Sequence, residues 1–166
     1  MKLRSIATAA ALTALIASLT LAVSIPVANV GYLNFGDVFV LLGAAYLSPL
    51  LAFLAAGIGS ALADVLMSYT HYALFTFLIK GLEGGLVAYL FSRNSKRHFT
   101  NFLCGALLMA GGYALTDLFL YNNMQVFWLS LAINMLQGVL ALTVVSGLYP
   151  LVKKHLTRRE NGHVEN

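Results

Sequence analysis

Long apolar runs, at about 3–24, 35–47, 50–67, 73–91, 99–121 and 126–152, leave this chain few ways to fold. Crossing the hydrocarbon of a bilayer takes about 20 apolar residues in a helix, and most of the runs come close to that length. Inside lipid, only helices and closed barrels satisfy every backbone N–H and C=O. A barrel would need alternating segments of about 10 residues, whereas these runs are continuous. The expected fold is therefore all-α: a compact bundle of six transmembrane helices over residues 1–152, with a basic, disordered tail at 153–166. Only 10% of the 166 residues are charged, against about 25% in a soluble domain. Lipid is thus the expected solvent of the fold.

Lysine and arginine placement predicts the orientation. Lys2 and Arg4 precede the first run, Arg93, Lys96 and Arg97 separate the fourth from the fifth, and Lys153, Lys154, Arg158 and Arg159 follow the sixth. The intervening links at 25–34, 68–72 and 122–125 carry no lysine or arginine. With six spans, all nine cations fall on one side, and the positive-inside rule makes that side, and with it both termini, cytoplasmic. The protein is expected in the cell membrane. The same clustering beside apolar runs argues against nucleic acid as the reason for the net charge of +4. The first run exceeds the roughly 7–15 residues of a signal-peptide core, so it reads as an uncleaved helix that Pro26 ends. The second run is short for a full span, which suggests a tilted helix or one buried among its neighbours.

Several chemistries lack their residues. Cys104 is the single cysteine, so neither an intrachain disulfide nor a multi-cysteine metal site can form. No phosphate loop, His/Glu metal motif or GxSxG elbow is present. No catalytic residue, metal or cofactor is expected.

The informative residues are polar ones inside apolar runs. Lys80 lies in mid-helix with Glu83 three positions on, sharing a face. An ionised side chain at that depth costs at least about 2.5 kcal/mol unless paired or water-facing. The pair is either a packing lock or a contact for substrate or a coupling ion. Asp37, Asp64 and Asp117 all fall towards the outer half of the bilayer. Asp37 also fits as a favourable charge at a helix N-terminus, whereas Asp64 and Asp117 approach C-termini, where the dipole disfavours them. Asn134 and Gln137, three apart in the last run, must find partners inward. The outer links add Asn29, Tyr32, Asn34, Tyr69, His71, Tyr72, Tyr121 and Gln125, with Trp128 beyond. These suit a flat heterocycle, although an aromatic belt at the membrane surface explains the rings taken singly. Asn34, Asp37, Asp64, His71, Tyr72, Lys80, Glu83, Asp117, Trp128, Asn134 and Gln137 are the candidate substrate-binding residues.

Small residues recur at every fourth position of the first run, Ala10, Ala14, Ser18 and Ala22, offering a face for close helix contact within the chain or with another subunit. Gly57, Gly59, Gly84, Gly85, Gly111 and Gly112 offer similar points.

Three blocks, Gly31-Tyr32-Leu33-Asn34-Phe35-Gly36-Asp37, Gly57-Ile58-Gly59-Ser60-Ala61-Leu62-Ala63-Asp64 and Phe77-Leu78-Ile79-Lys80-Gly81-Leu82-Glu83-Gly84, together resemble the substrate-binding S components of energy-coupling factor (ECF) vitamin transporters, most closely the riboflavin/hydroxymethylpyrimidine-type branch. The resemblance is clearest over 31–90. It implies capture of a vitamin outside the cell and association with a membrane coupling subunit and two cytoplasmic ATPases. It also implies that Ala10, Ala14 and Ser18 face the coupling subunit. Few cations lie on the outer side, which disfavours a strongly anionic ligand. Pyridoxine or hydroxymethylpyrimidine is favoured, with riboflavin next. The residues alone also allow a stand-alone transporter driven by an ion gradient, with Asp64, Asp117 and Glu83 as relay, or a non-transporting membrane scaffold.

Overall fold

The computed structural model describes residues 3–27 and 31–162, with side chains described to residue 155. Asn29 and Lys2 lie outside the described residues, as do the side chains of Arg158 and Arg159. The described residues form α1 (Leu3–Ala22), a hairpin of β1 (Ser24–Val27) and β2 (Gly31–Asn34), α2 (Gly36–Ala44), α3 (Pro49–Leu66), α4 (Ala73–Arg93), a single 3-10 turn (Ser95–Arg97), α5 (His98–Tyr121) and α6 (Met124–Gly162). Five of the six α-helices, all but α2, are long and apolar enough to cross a bilayer.

The second apolar run takes the buried one of its two expected forms. Its helix has nine residues and rises only about 13 Å, well short of the roughly 30 Å of hydrocarbon. Gly36, Asp37, Val38, Val40, Leu41, Gly43 and Ala44 are all buried, so α2 is a core element wrapped by the longer helices. It runs antiparallel to α1, with Gly36 against Thr20 and Gly43 against Leu12. A turn at 45–48 then carries the chain to the recess that Tyr46, Leu47 and Ser48 share with Arg4.

Residues 24–27 and 31–34 form two antiparallel strands that pair Ser24 with Asn34 and Pro26 with Tyr32. Gly31 takes a left-handed φ of 87° where the second strand begins, a conformation open to glycine without strain. At the other extreme of the chain, α6 continues helical as far as Gly162, through most of the segment expected to be a disordered tail.

Ring contacts define the two ends of the bundle. Tyr149 lies 6.0 Å from Tyr46 and 5.3 Å from His98, centroid to centroid. The α2–α3 turn, the start of α5 and the last part of the α6 span therefore meet at the end that carries Arg4 and Lys153. At the opposite end Tyr32 of the hairpin lies 5.2 Å from Tyr69, and the hydroxyls of Tyr72 and Tyr121 are 3.4 Å apart.

Close helix contact relies on small residues, as expected in lipid. A Cβ on Gly84 would come within 2.8 Å of the Ala52 carbonyl oxygen on α3, and one on Gly59 within 2.8 Å of the Thr13 carbonyl oxygen on α1. Gly57 is equally tight against Phe77, but Gly85 has ordinary contact distances and Gly111 has open space around it. Gly111 is therefore not the close-contact point its pairing with Gly112 suggests.

Candidate functional site

Each inner helix changes character part-way along. Towards the basic end, Leu41 of α2, Val87 of α4, Phe102 of α5 and Val145 of α6 are completely buried and form one apolar cluster. Towards the hairpin end the buried positions of the same helices include Asp37, Lys80, Asp117 and Gln137, joined by Asp64 of α3. Glu83 stands at the boundary, one turn from Val87 and beside Gly105.

The polar half is a chain of direct contacts. The Lys80 ammonium donates to the Asp37 carboxylate and to Glu83 Oε2, the latter at 3.1 Å. Asp37 also accepts from Gln137 Nε2 at 2.7 Å, and Gln137 Oε1 accepts the backbone N–H of Asn34 at 2.9 Å. One cluster thus ties together the hairpin, α2, α4 and α6. Two further carboxylates each take a tyrosine hydroxyl: Tyr32 donates to Asp64 and Tyr72 to Asp117. Burial first, and then the facing carboxylate, push the phenols of Tyr32 and Tyr72 well above their usual range. Both therefore stay protonated and act as donors.

These groups border a hollow at the hairpin end. Gly31, Tyr32 and Asn34 of the hairpin cover one side, with Asp64, Tyr69 and Tyr72 from α3 and the following turn. Thr76, Tyr113, Asn134 and Gln137 form the floor and far wall. As a cavity it is small, about 30 Å³. Two buried carboxylate oxygens lack any hydrogen-bond partner, Asp64 Oδ2 and Glu83 Oε1. Of these two residues, Asp64 lines the hollow.

Of the eleven candidates, Asn34, Asp64, Tyr72, Asn134 and Gln137 border the hollow directly. Asp37, Lys80, Glu83 and Asp117 stand behind it and hold its walls. Asp37 lies in the first turn of α2, where its charge suits the helix dipole, and its carboxylate is also taken up by Lys80 and Gln137. Asn134 gives its amide hydrogens to Ser130, at 2.9 and 3.2 Å. His71 is exposed and lies between Tyr69 and Tyr72 on the outer turn, its ring tilted against both. Trp128 is 61% exposed and packs edge-on against Phe127. Neither lines the hollow.

Thr76 and Tyr113, which the sequence reading missed, hydrogen-bond to each other at 3.1 Å within the hollow. Their signal was spacing: Thr76 is one turn before Lys80, and Tyr113 one turn before Asp117, on the faces those charges mark. Far from the hollow, Ala10, Ala14 and Ser18 are all exposed, so the small face of α1 has no partner among the described residues.

Comparison with known proteins decides the family. The ECF-type riboflavin transporter, S component, family matches residues 1–154. This chain belongs to that family. As an ECF S component it is a membrane transporter subunit of a vitamin-binding kind and not a member of an enzyme family. It is also similar to a Pyrococcus woesei protein described as "uncharacterized protein in gap 3′ region", with 43% identity over 107 residues, which cover 62% of this chain and 71% of that one. Among solved structures it resembles the S component of a bacterial ECF transporter, with a TM-score of 0.76 at 19% identity, covering 92% of this chain and 97% of the other. That likeness establishes the S-component fold.

Proposed function

We propose that this S component captures a small B vitamin or vitamin precursor in the hollow beneath the hairpin. It delivers the ligand with a membrane coupling subunit and two cytoplasmic ATPases. Pyridoxine or hydroxymethylpyrimidine is favoured, with riboflavin, for which the family is named, next. The carrying observation is the hollow itself. Polar groups from the hairpin and four helices converge there, at a depth where polar groups are costly unless they serve a purpose. Its position, at the end opposite Arg4, Arg93, Lys96 and Lys153, makes it the extracellular end by the positive-inside rule. The termini are then cytoplasmic, and the uncovered Ala10, Ala14 and Ser18 face is where the coupling subunit packs.

Size and charge favour a small ring. At about 30 Å³, the hollow is a tenth or less of the roughly 300–1,000 Å³ of ordinary ligand pockets. Entry therefore requires the Tyr32–Asp64 contact to part and the hairpin to lift. No arginine borders the hollow, and the nearby ammonium of Lys80 is committed to two carboxylates.

The test is mass spectrometry of small molecules released from the purified, denatured protein, followed by titration with B vitamins. Co-purified vitamin and uptake dependent on the ATPase partners are expected. Uptake by this chain alone in proteoliposomes would replace the reading with an ion-coupled transporter. Failure to bind any B vitamin would leave a membrane scaffold.

A further inference from the structure

We infer that the hollow binds its ligand as a cation, a ring with a protonated nitrogen set against the Asp64 carboxylate. This deepens the vitamin-carrier reading and rests on it. Asp64 is 2% exposed and borders the hollow, yet only one of its oxygens is satisfied within the protein. Oδ1 accepts the Tyr32 hydroxyl, while Oδ2 accepts nothing. The Thr76 hydroxyl stands near Asp64 without closing a hydrogen bond to Oδ2. A buried carboxylate oxygen without a donor is costly, and a ligand that supplies the donor recovers that cost as affinity. Asp64 also sits near the C-terminus of α3, where the helix dipole makes the absence of a cation more unfavourable.

Apart from the exposed His71, no described side chain brings an uncommitted positive charge to Asp64. From α4, Lys80 faces the region, but its ammonium is held by Asp37 and Glu83. From the hairpin comes Tyr32, from the α3–α4 turn Tyr69 and the exposed His71, from α5 Tyr113, and from α6 the neutral Asn134. Among the described residues, the hairpin half of the bundle buries four carboxylates, Asp37, Asp64, Glu83 and Asp117, against one ammonium. An anionic ligand would add to that imbalance, and a ligand offering only acceptors would set lone pairs against Oδ2. A ring N–H⁺ satisfies both the charge and the missing hydrogen bond.

The experiment measures binding of hydroxymethylpyrimidine, pyridoxine, riboflavin and a benzenoid analogue without a ring nitrogen, across pH, to the full chain in nanodiscs. The basic rings are expected to bind most tightly, and their affinity should fall as pH rises past the free ring's own pKa. Asp64→Asn should weaken them by about tenfold or more while narrowing their advantage over the benzenoid analogue. If Asp64→Asn does not fold, the wild-type pH profile decides, together with Tyr32→Phe, which leaves the carboxylate in place and should retain the preference for basic rings. Tight binding of riboflavin alone, or binding of a basic ring unaffected by pH and by Asp64→Asn, would overturn the cation assignment and leave the S-component reading standing. If wild type binds none of the vitamins, the S-component reading fails, and the assignment with it.

Discussion

The two halves of the bundle use the same helices for opposite purposes. In the basic-end half, Leu41, Val87, Phe102 and Val145 meet in a dry apolar cluster. In the hairpin half, one or two turns along those helices, Asp37, Lys80, Glu83 and Gln137 meet in a hydrogen-bonded one. Lipid tails are as apolar as leucine, so the first half is held by van der Waals fit more than by exclusion of water. The second is held by electrostatics that tolerate little loss, because an unpaired charge there has no water to fall back on. The basic-end half is a rigid base. The hairpin half is a polar chamber whose cover hangs on two side-chain links, Tyr32–Asp64 and Asn34–Gln137.

The comparison breaks most sharply at Lys80. Lys80→Ala leaves Asp37 and Glu83 buried without their counter-ion, and breaking a buried pair costs about 3–5 kcal/mol. Thermal unfolding in detergent should show a large drop in midpoint or failure to fold. A triple variant, Asp37→Asn, Lys80→Met and Glu83→Gln, removes the charges together and should recover much of the stability without recovering ligand binding. If the single variant were as stable as wild type, the chamber would not be held by charge.

Phe102→Ala attacks the other half. Large-to-small core changes in soluble proteins combine a transfer loss with a cavity cost. In lipid the transfer part is weak, so the cavity part dominates, at about 1–3 kcal/mol. The expected result is a lower unfolding midpoint with unchanged ligand affinity in the folded fraction. Gly84→Val is expected to fall in the same range, about 1–3 kcal/mol, because its side chain meets the Ala52 carbonyl oxygen instead of a flexible neighbour.

The contrast between the halves also explains what could be read from the sequence. Membrane helices are apolar all round, so periodicity gives their length but not their rotation. The five long helices were legible for that reason, and so were the polar positions, which stand out against an apolar background. Which way each position faces was not. Tyr113 looks like any aromatic in an apolar run, yet its hydroxyl reaches Thr76 in the hollow. Trp128 looks like a ligand platform, yet it faces outwards. Asp37 was legible as a charge in a first helical turn, but not the partners that claim it, Lys80 and Gln137, which are 43 and 100 residues away in sequence. The extent of α2 was hidden because a buried helix and a short span have the same composition.

An effect of comparable size is expected at Gln137. Its amide bridges the hairpin backbone and the Asp37 carboxylate, so Gln137→Leu removes one neutral and one charge-assisted hydrogen bond. Contributions of about 0.5–1.5 and 1.5–3 kcal/mol respectively set the upper bound, and repacking of leucine in the adjoining apolar surroundings of Val38 and Ala141 offsets part of it. If the hairpin is the cover, ligand release should accelerate more than stability falls. Equal changes in both would mean that Gln137 only packs.

The smallest effects are expected where aromatic residues of the hairpin end lie outside the hollow. Trp128→Phe and His71→Ala change exposed side chains, and substitutions of that kind stay within about 0.5 kcal/mol. Ligand affinity should be unchanged in both, whereas Tyr113→Phe, on α5 and half-buried against Thr76, should weaken it by removing one wall hydroxyl. A measurable affinity loss at Trp128 would mean that the ligand extends out of the hollow to the surface beside Phe127. The chamber would then end at the membrane interface instead of beneath the hairpin, and the contrast between a closed polar half and a packed apolar half would have to be redrawn around an open groove.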